Sequence, residues 1–351
     1  MFSAAKIIKG IALCSIILVC DNRTHAQGTY PSSTPVNYVR VWDLRAPEQN
    51  HLNISSRPLK DALQSTMYSD GLGRVLQTVV KQGALTTATA ASADLVTPQQ
   101  YDVYGRTPQV YLPFAATDNQ GGFKYNPFDQ QVGFYNTQLA GQSEQYFHQQ
   151  HSYEPSPLNR VIKTTAPGSS WTGSNRGVNT VYGLNDANDD VKSWTVYGSG
   201  SYGVSGTYAN GQLSEITTID EDGKQVVEYK DKDDKTILKK VQQNPSPSAG
   251  YSGWMCTYYL YDDFSLLRLV IQPKGVEYML QYGWSINSTI LAEQCFEYNY
   301  DGRGRMIEKR VPGAGLVEMV YDARDRVTLT RDANMLATSK WMFTKYDDLN
   351  R

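Results

Sequence analysis

Cysteine and histidine are scarce in this sequence, with 4 of each in 351 residues. Cys14 and Cys20 fall in an apolar leader, so a dense disulfide framework is excluded. Cys256 and Cys295 remain, to pair with each other or to stay as two buried thiols. A cysteine nucleophile needs a histidine base beside it, and the sequence places none of His51, His148 and His151 near either cysteine. His148 and His151 would share a face if their segment were helical, giving half a metal site, but no third ligand follows at matching spacing. An excess of one charge is missing too. Lys and Arg number 33 against 35 Asp and Glu, a net charge of −2, so no basic bias draws nucleic acid. No apolar run approaches the roughly 20 residues that a membrane-spanning helix needs. The run Gly10–Cys20 follows Lys6 and Lys9 and precedes Thr24-His25-Ala26. That is the pattern of an export signal over residues 1–26, cleaved before Gln27. A lipid anchor on Cys20 is the alternative.

The usual marks of catalysis are also lacking. No Gly-x-Ser-x-Gly elbow or phosphate-cradling glycine loop occurs. Asp186-Ala187-Asn188-Asp189-Asp190 starts like a calcium loop, but Val191 stands where that loop needs glycine and Tyr197 where it needs an acid. We therefore assign no catalytic, cofactor-binding or metal-binding residues and expect no enzyme activity. Acids are plentiful, yet no carboxylate pair stands out for hydrolysis of a polysaccharide.

What the chain has is tyrosine and a recurring turn. It carries 25 Tyr against 9 Phe, which suits half-exposed strands whose rings keep one polar end in water. Tyr300-Asp301-Gly302-Arg303-Gly304-Arg305 recurs as Tyr321-Asp322-Ala323-Arg324-Asp325-Arg326 and as Tyr346-Asp347-Asp348-Leu349-Asn350-Arg351. Tyr101-Asp102-Val103-Tyr104-Gly105-Arg106 is an earlier copy. Starts at 300, 321 and 346 lie 21 and 25 residues apart, a spacing of repeat architectures. Strand-like segments flank each copy, such as Cys295–Asn299 before and Met306–Val311 after. Each repeat reads as a hairpin, and stacked repeats give a long antiparallel sheet. Glycines 71, 105, 302 and 313 mark the turns, and Gly302 is expected to need a positive φ. Each arginine is free to pair with a carboxylate or carbonyl of the neighbouring hairpin. One helix at most is expected, between Gln130 and His151.

This ordered series resembles the YD repeats of RHS proteins of Gram-negative bacteria. Upstream, Asp70-Gly71-Leu72-Gly73-Arg74, Tyr111-Leu112-Pro113 and Tyr153-Glu154-Pro155-Ser156-Pro157-Leu158-Asn159-Arg160 resemble the N-terminal domain of unknown function that opens such proteins. The resemblance covers residues 36–351. It implies a mainly β fold of YD-type hairpins forming part of an RHS-like shell. The expected organisation is a signal over 1–26, a linker over 27–35, an RHS-associated domain over 36–175 and a YD-repeat region over 176–351.

For function, the resemblance implies a non-enzymatic, exported structural segment. It would be the opening part of a β-shell that can enclose or deliver a C-terminal effector, with further repeats or that effector as partner. Tyr101, Asp102, Gly105, Arg106, Tyr300, Asp301, Gly304, Arg305, Tyr321, Asp322, Arg326, Tyr346, Asp347 and Arg351 would be its structural motif. A cell-surface module that stacks glycans on Tyr and Trp is the first alternative, and a polysaccharide-acting enzyme the second. No cofactor, nucleic acid or membrane span is expected.

Overall fold

The computed structural model describes residues 29–351 apart from 32, 46, 88 and 199. The expected export signal lies outside the described residues. The chain divides into two compact units. One holds the described residues up to Gln100 together with Tyr111–Phe147, and the other holds Tyr101–Val110 with His148–Arg351.

In the first unit, the strands are β1 (Asn37–Leu44), β2 (Ala62–Ser69), β3 (Val75–Ala84) and β4 (Ala93–Pro98). After β5 (Gln109–Tyr111), a strand of the second sheet, comes β6 (Phe114–Ala115). The antiparallel order is β1-β2-β3-β4-β6. The turn Asp70–Arg74 joins β2 to β3. Alternation along these strands sends Tyr68, Val79, Val96 and Phe114 to one buried cluster, closed by Phe123 and Phe134. The helix α1 (Pro127–Gln138) has proline at its first position, where the missing N–H costs nothing. It buries Phe128 and Gln131.

The second unit is a meander. Its strands are β7 (His148–Tyr153), β8 (Val161–Thr165), β9 (Val178–Leu184), β10 (Lys192–Tyr197), β11 (Ser201–Thr207), β12 (Ser214–Ile219), β13 (Gln225–Lys230) and β14 (Thr236–Gln242). Then come β15 (Trp254–Tyr261), β16 (Leu267–Ile271), β17 (Cys295–Tyr300), β18 (Met306–Val311), β19 (Gly315–Tyr321), β20 (Val327–Arg331) and β21 (Met342–Phe343). They form a 14-stranded sheet running from β21 through β12, then β9-β8-β7-β5. The hairpin β10–β11 is inserted between β9 and β12 as a sheet of its own. Leu238, Tyr258, Leu269, Ile271 and Cys295 line the buried face beneath that hairpin and two helices.

Those helices correct the expectation of one helix at most. α2 (Pro273–Tyr282) and α3 (Ser288–Gln294) lie between β16 and β17, and α4 (Ala333–Ala337) follows β20. Proline at the first helical position opens α2, and Val276 and Met279 bury its inner side. Asn287 caps α3 by accepting the Ile290 N–H at 2.8 Å, and Asp332 caps α4 in the same way from Met335 at 2.8 Å. The last strand, β21, is only two residues long, Met342–Phe343.

His148 and His151 sit on a strand. Three residues apart on a strand, they point to opposite faces rather than sharing one. Cys256 and Cys295 are free, buried thiols on β15 and β17, with β16 between them. Burial pushes Cys256 up to about 11 and Cys295 up to about 12. Below those values both stay protonated and unreactive. Native protein at pH 8 should resist alkylation at both positions, and urea-unfolded protein should be labelled at both. Rapid native labelling of either one would contradict this burial.

Candidate functional site: a ladder of Tyr-Asp-Arg turns

Each copy of the motif is built on its aspartate. In the turn after β17, the Gly304 N–H donates to the Asp301 carbonyl and the Asp301 N–H to the Arg305 carbonyl, both at 2.9 Å. The Asp301 Oδ1 then accepts the N–H of Arg303 at 2.9 Å and of Arg305 at 3.0 Å. Oδ2 takes the Arg305 Nε at 2.7 Å. The short aspartate side chain thus closes a loop of its own backbone, which is why this residue opens the turn. Asp102, Asp322 and Asp347 repeat the arrangement with Arg106, Arg326 and Arg351. Asp70 does so with Arg74.

The turn needs one left-handed residue, just before the arginine. Gly304 has φ 75°, Gly105 φ 77°, Asp325 φ 60° and Asn350 φ 62°. The glycine requirement therefore falls on Gly304 and not on Gly302, where it was expected. Gly304→Ala should cost about 1–2 kcal/mol for forcing an L residue left-handed, whereas Gly302→Ala should stay within about 0.5 kcal/mol. Urea unfolding of the two variants compares them directly. Equal effects would mean that the turn has another conformation.

Neighbouring turns interlock in three ways, none of them local in sequence. First, four arginines lie against the tyrosine ring of the next repeat. Arg305 is 4.7 Å from the centre of Tyr321, Arg326 4.7 Å from Tyr346, Arg106 4.6 Å from Tyr153 and Arg160 4.2 Å from Tyr182. Second, that tyrosine's hydroxyl donates to the carbonyl just past the same arginine. The bonds run from Tyr321 to Met306 at 2.7 Å, from Tyr346 to Val327 at 2.8 Å and from Tyr153 to Thr107 at 3.2 Å. Third, the arginine's free nitrogen reaches the left-handed residue of the next turn. Arg305 Nη1 meets Asp325 at 2.5 Å, Arg326 Nη1 meets Asn350 at 2.9 Å and Arg106 Nη1 meets Asn159 at 3.3 Å. The sequence expectation that arginine pairs with a neighbour is thus half the arrangement, since its first partner is its own aspartate.

This third contact explains a choice visible along the chain. In these three pairs the left-handed residue that the arginine reaches is Asp or Asn, with an acceptor oxygen. Before Gly304 the preceding turn has Leu266 in the arginine position, and no acceptor is needed. There Arg268 stands in, 5.9 Å from the Tyr300 ring, while Tyr300 still donates to Leu267 at 3.0 Å. Asp231 and Asp262 build the same turn without arginine, and Lys235 lies 5.8 Å from the Tyr261 ring. Tyr229, two residues before the Asp231 turn, is buried in the core, where its hydroxyl donates to Asp189 at 2.8 Å. The signal that would have found the Asp231 turn is an aspartate followed three residues on by Gly, Asp or Asn.

The carboxylates of the ladder are held in their ionised form. The Arg305 guanidinium, aided by two backbone N–H donors, keeps Asp301 below its ordinary value against the opposing effect of desolvation. The Arg160 guanidinium brings Glu154 down to about 2. A lowered carboxylate contributes stability above its unfolded pKa, and that contribution is lost as pH falls through the folded value. Urea midpoints should therefore hold steady above pH 5 and drop between roughly pH 4 and 2. A midpoint that does not move across that window would show that these pairs do not support the fold.

Asp186 and Asp189, the start of the calcium-like loop, are already engaged. Asp186 accepts the Asn188 N–H at 2.7 Å, and Asp189 accepts the Asp186 N–H at 2.7 Å as well as the Tyr229 hydroxyl. Among the described residues, no cluster of three or more His, Cys, Asp or Glu is arranged to hold a metal ion. Beside the last turns, a groove of about 350 Å³ is lined by Asp301, Arg305, Glu308, Glu318, Tyr321 and Trp341. Arg331 is paired with Glu318 and lies 4.2 Å from the Trp341 ring centre.

Comparison with known proteins adds two findings. Residues 40–184 match the family described as Domain of unknown function (DUF6443). Among solved structures, the crystal structure of TcdB2-TccC3-TEV aligns with 93% of this chain at 17% identity and TM-score 0.51. The Photorhabdus luminescens Tc holotoxin pore, with the TccC3-D651A mutation, aligns with 78% at 16% identity and TM-score 0.48. This chain spans 13% and 11% of the respective structures' chains. The first likeness carries the fold alone: mainly antiparallel β in open sheets, the fold class expected from the repeats. No curated protein matches the chain.

Proposed function

We propose that this chain is a non-enzymatic, RHS-type structural segment, exported, and the opening part of a β-shell that encloses an effector carried further along the same polypeptide. The observation that supports this reading is the ladder. Its arginines, tyrosines and left-handed residues are spent on neighbouring turns, which is how a sheet grows sideways one repeat at a time. A sheet so built serves as wall. Stacked repeats are stable where neighbours cover their faces and edges. The chain expressed alone should therefore self-associate, or be cut by protease after about residue 320. Joined to further repeats of the same type, it should become monomeric and resistant there. Light scattering and limited proteolysis read both outcomes. A stable monomer protected to Arg351 would defeat the shell reading. Export is tested separately, since the secreted product should begin at Gln27.

A second reading rests on the groove at Trp341. An indole backed by a guanidinium, next to Glu308 and Glu318, has the aromatic platform and planar polar groups that hold a sugar ring. Glycan-array binding that disappears in Trp341→Ala would favour a carbohydrate-binding module.

A further inference from the structure

Where β4 begins, Lys124 meets two carboxylates. Lys124 is 3% exposed and Asp94 0%. The Lys124 Nζ lies 2.7 Å from Asp94 Oδ2 and 2.5 Å from Asp118 Oδ1. Both reacting groups are fixed from behind. The Gln82 N–H donates to Asp94 Oδ1 at 3.0 Å and the Gly121 N–H to Oδ2 at 2.6 Å. To aim that N–H, Gln82 takes a left-handed φ of 54°, a conformation rare for a residue with a long side chain. Gln77, itself 0% exposed, grips the lysine backbone by accepting the Lys124 N–H at 3.0 Å and donating to its carbonyl at 2.8 Å. Phe123, next in sequence, packs against the adjoining core. The Asp118 side chain is 46% exposed, so one arm of the cluster reaches water.

An amine and a carboxyl group held this close, without rotational freedom, have a very high effective concentration. Condensation also removes a charge pair whose two ions burial has taken out of water. The backbone donor on Oδ1 sits where negative charge would build up on attack.

We infer that Lys124 and Asp94 condense into an intramolecular amide, with Asp118 carrying the proton. The Lys124 ammonium first passes one proton to Asp94 Oδ2. The Nζ lone pair then attacks Cγ, and the carbonyl electrons move onto Oδ1, facing the Gln82 N–H. Asp118 takes a second proton from Nζ and delivers it to Oδ2. The Cγ–Oδ2 bond breaks and that oxygen leaves as water. One N–C bond replaces one C–O bond, Asp118 is regenerated, and nothing is oxidised or reduced. The product ties the start of β4 to the segment before α1 and removes the buried charge pair.

The test is a tryptic map of the full-length protein. The amide would block cleavage after Lys124 and join the peptide spanning residues 82–106 to that spanning 107–160, at their summed mass less one water. Asp118→Ala should fold, by circular dichroism, and form the linked species about a hundredfold more slowly. Wild-type protein that cleaves after Lys124 and yields the peptide 82–106 at its unmodified mass overturns the inference. Linkage at an unchanged rate in Asp118→Ala removes Asp118 from the mechanism.

Discussion

Asp94→Ala should destabilise the first unit by about 3–5 kcal/mol, the typical effect of removing one partner of a buried charge pair. The substitution leaves the Lys124 ammonium 3% exposed, with only the half-exposed Asp118 to face it. It also strands the Gln82 and Gly121 N–H groups, which both end on this carboxylate. Unpaired buried donors of this kind add to the loss rather than offset it. Asp94→Asn keeps an acceptor for one of those donors and should cost less. Urea unfolding followed by Trp42 fluorescence would report on this unit, since Trp42 lies on β1. A loss below 1 kcal/mol would mean that water reaches the site freely. Loss of the amide, where it has formed, adds to the figure.

The three partners of that site are spread from Asp94 to Lys124, and nothing in the sequence joins them. The ladder was far more legible, because its aspartate and arginine are four residues apart and their roles follow from that local spacing. Even so, the reading sent each arginine to a neighbouring hairpin and missed both its own aspartate and the tyrosine ring of the next repeat. That the Arg305 guanidinium lies on the Tyr321 ring depends on strand register, through pairs such as Lys309 with Val317. A pattern read along one strand does not carry that information. The choice between Gly302 and Gly304 failed for a related reason. Both are glycines in one hairpin, and only the Asp301 hydrogen-bond pattern decides which one turns left-handed. Helices α2 and α3 were missed because Pro273 and Asn287 serve equally well as turn residues and as helix openers. The mainly β character was legible throughout, since the alternation of burial along strands such as β15 is written directly in its residues.

Tyr258 should prove the most sensitive position of the second unit, with Tyr258→Ala costing about 3–5 kcal/mol, the range for a large aromatic lost from a core. It is 0% exposed on β15, directly across from Leu238 on one side and Ile271 on the other. The edges of Trp194 and Trp284 meet its ring at centroid distances of 5.8 and 5.9 Å. Its hydroxyl does a separate job. It accepts the Lys192 N–H at 2.8 Å and lies 2.6 Å from the Tyr251 hydroxyl, which donates to the Asp190 carbonyl at 2.6 Å. Burial pushes the phenol well above its ordinary pKa, so it stays a neutral donor and acceptor. These bonds hold residues Asp190–Lys192, where the inserted hairpin β10–β11 starts, against the long sheet. Tyr258→Phe keeps the ring and strands the Lys192 N–H, so it should cost about 1–3 kcal/mol. The two effects separate by hydrogen exchange. Tyr258→Phe should speed exchange in β10 and β11 while β18 to β20 stay protected, because the ladder on that side makes no use of the hydroxyl. Uniform loss of protection across the sheet would instead show that the hairpin and the ladder unfold as one cooperative body.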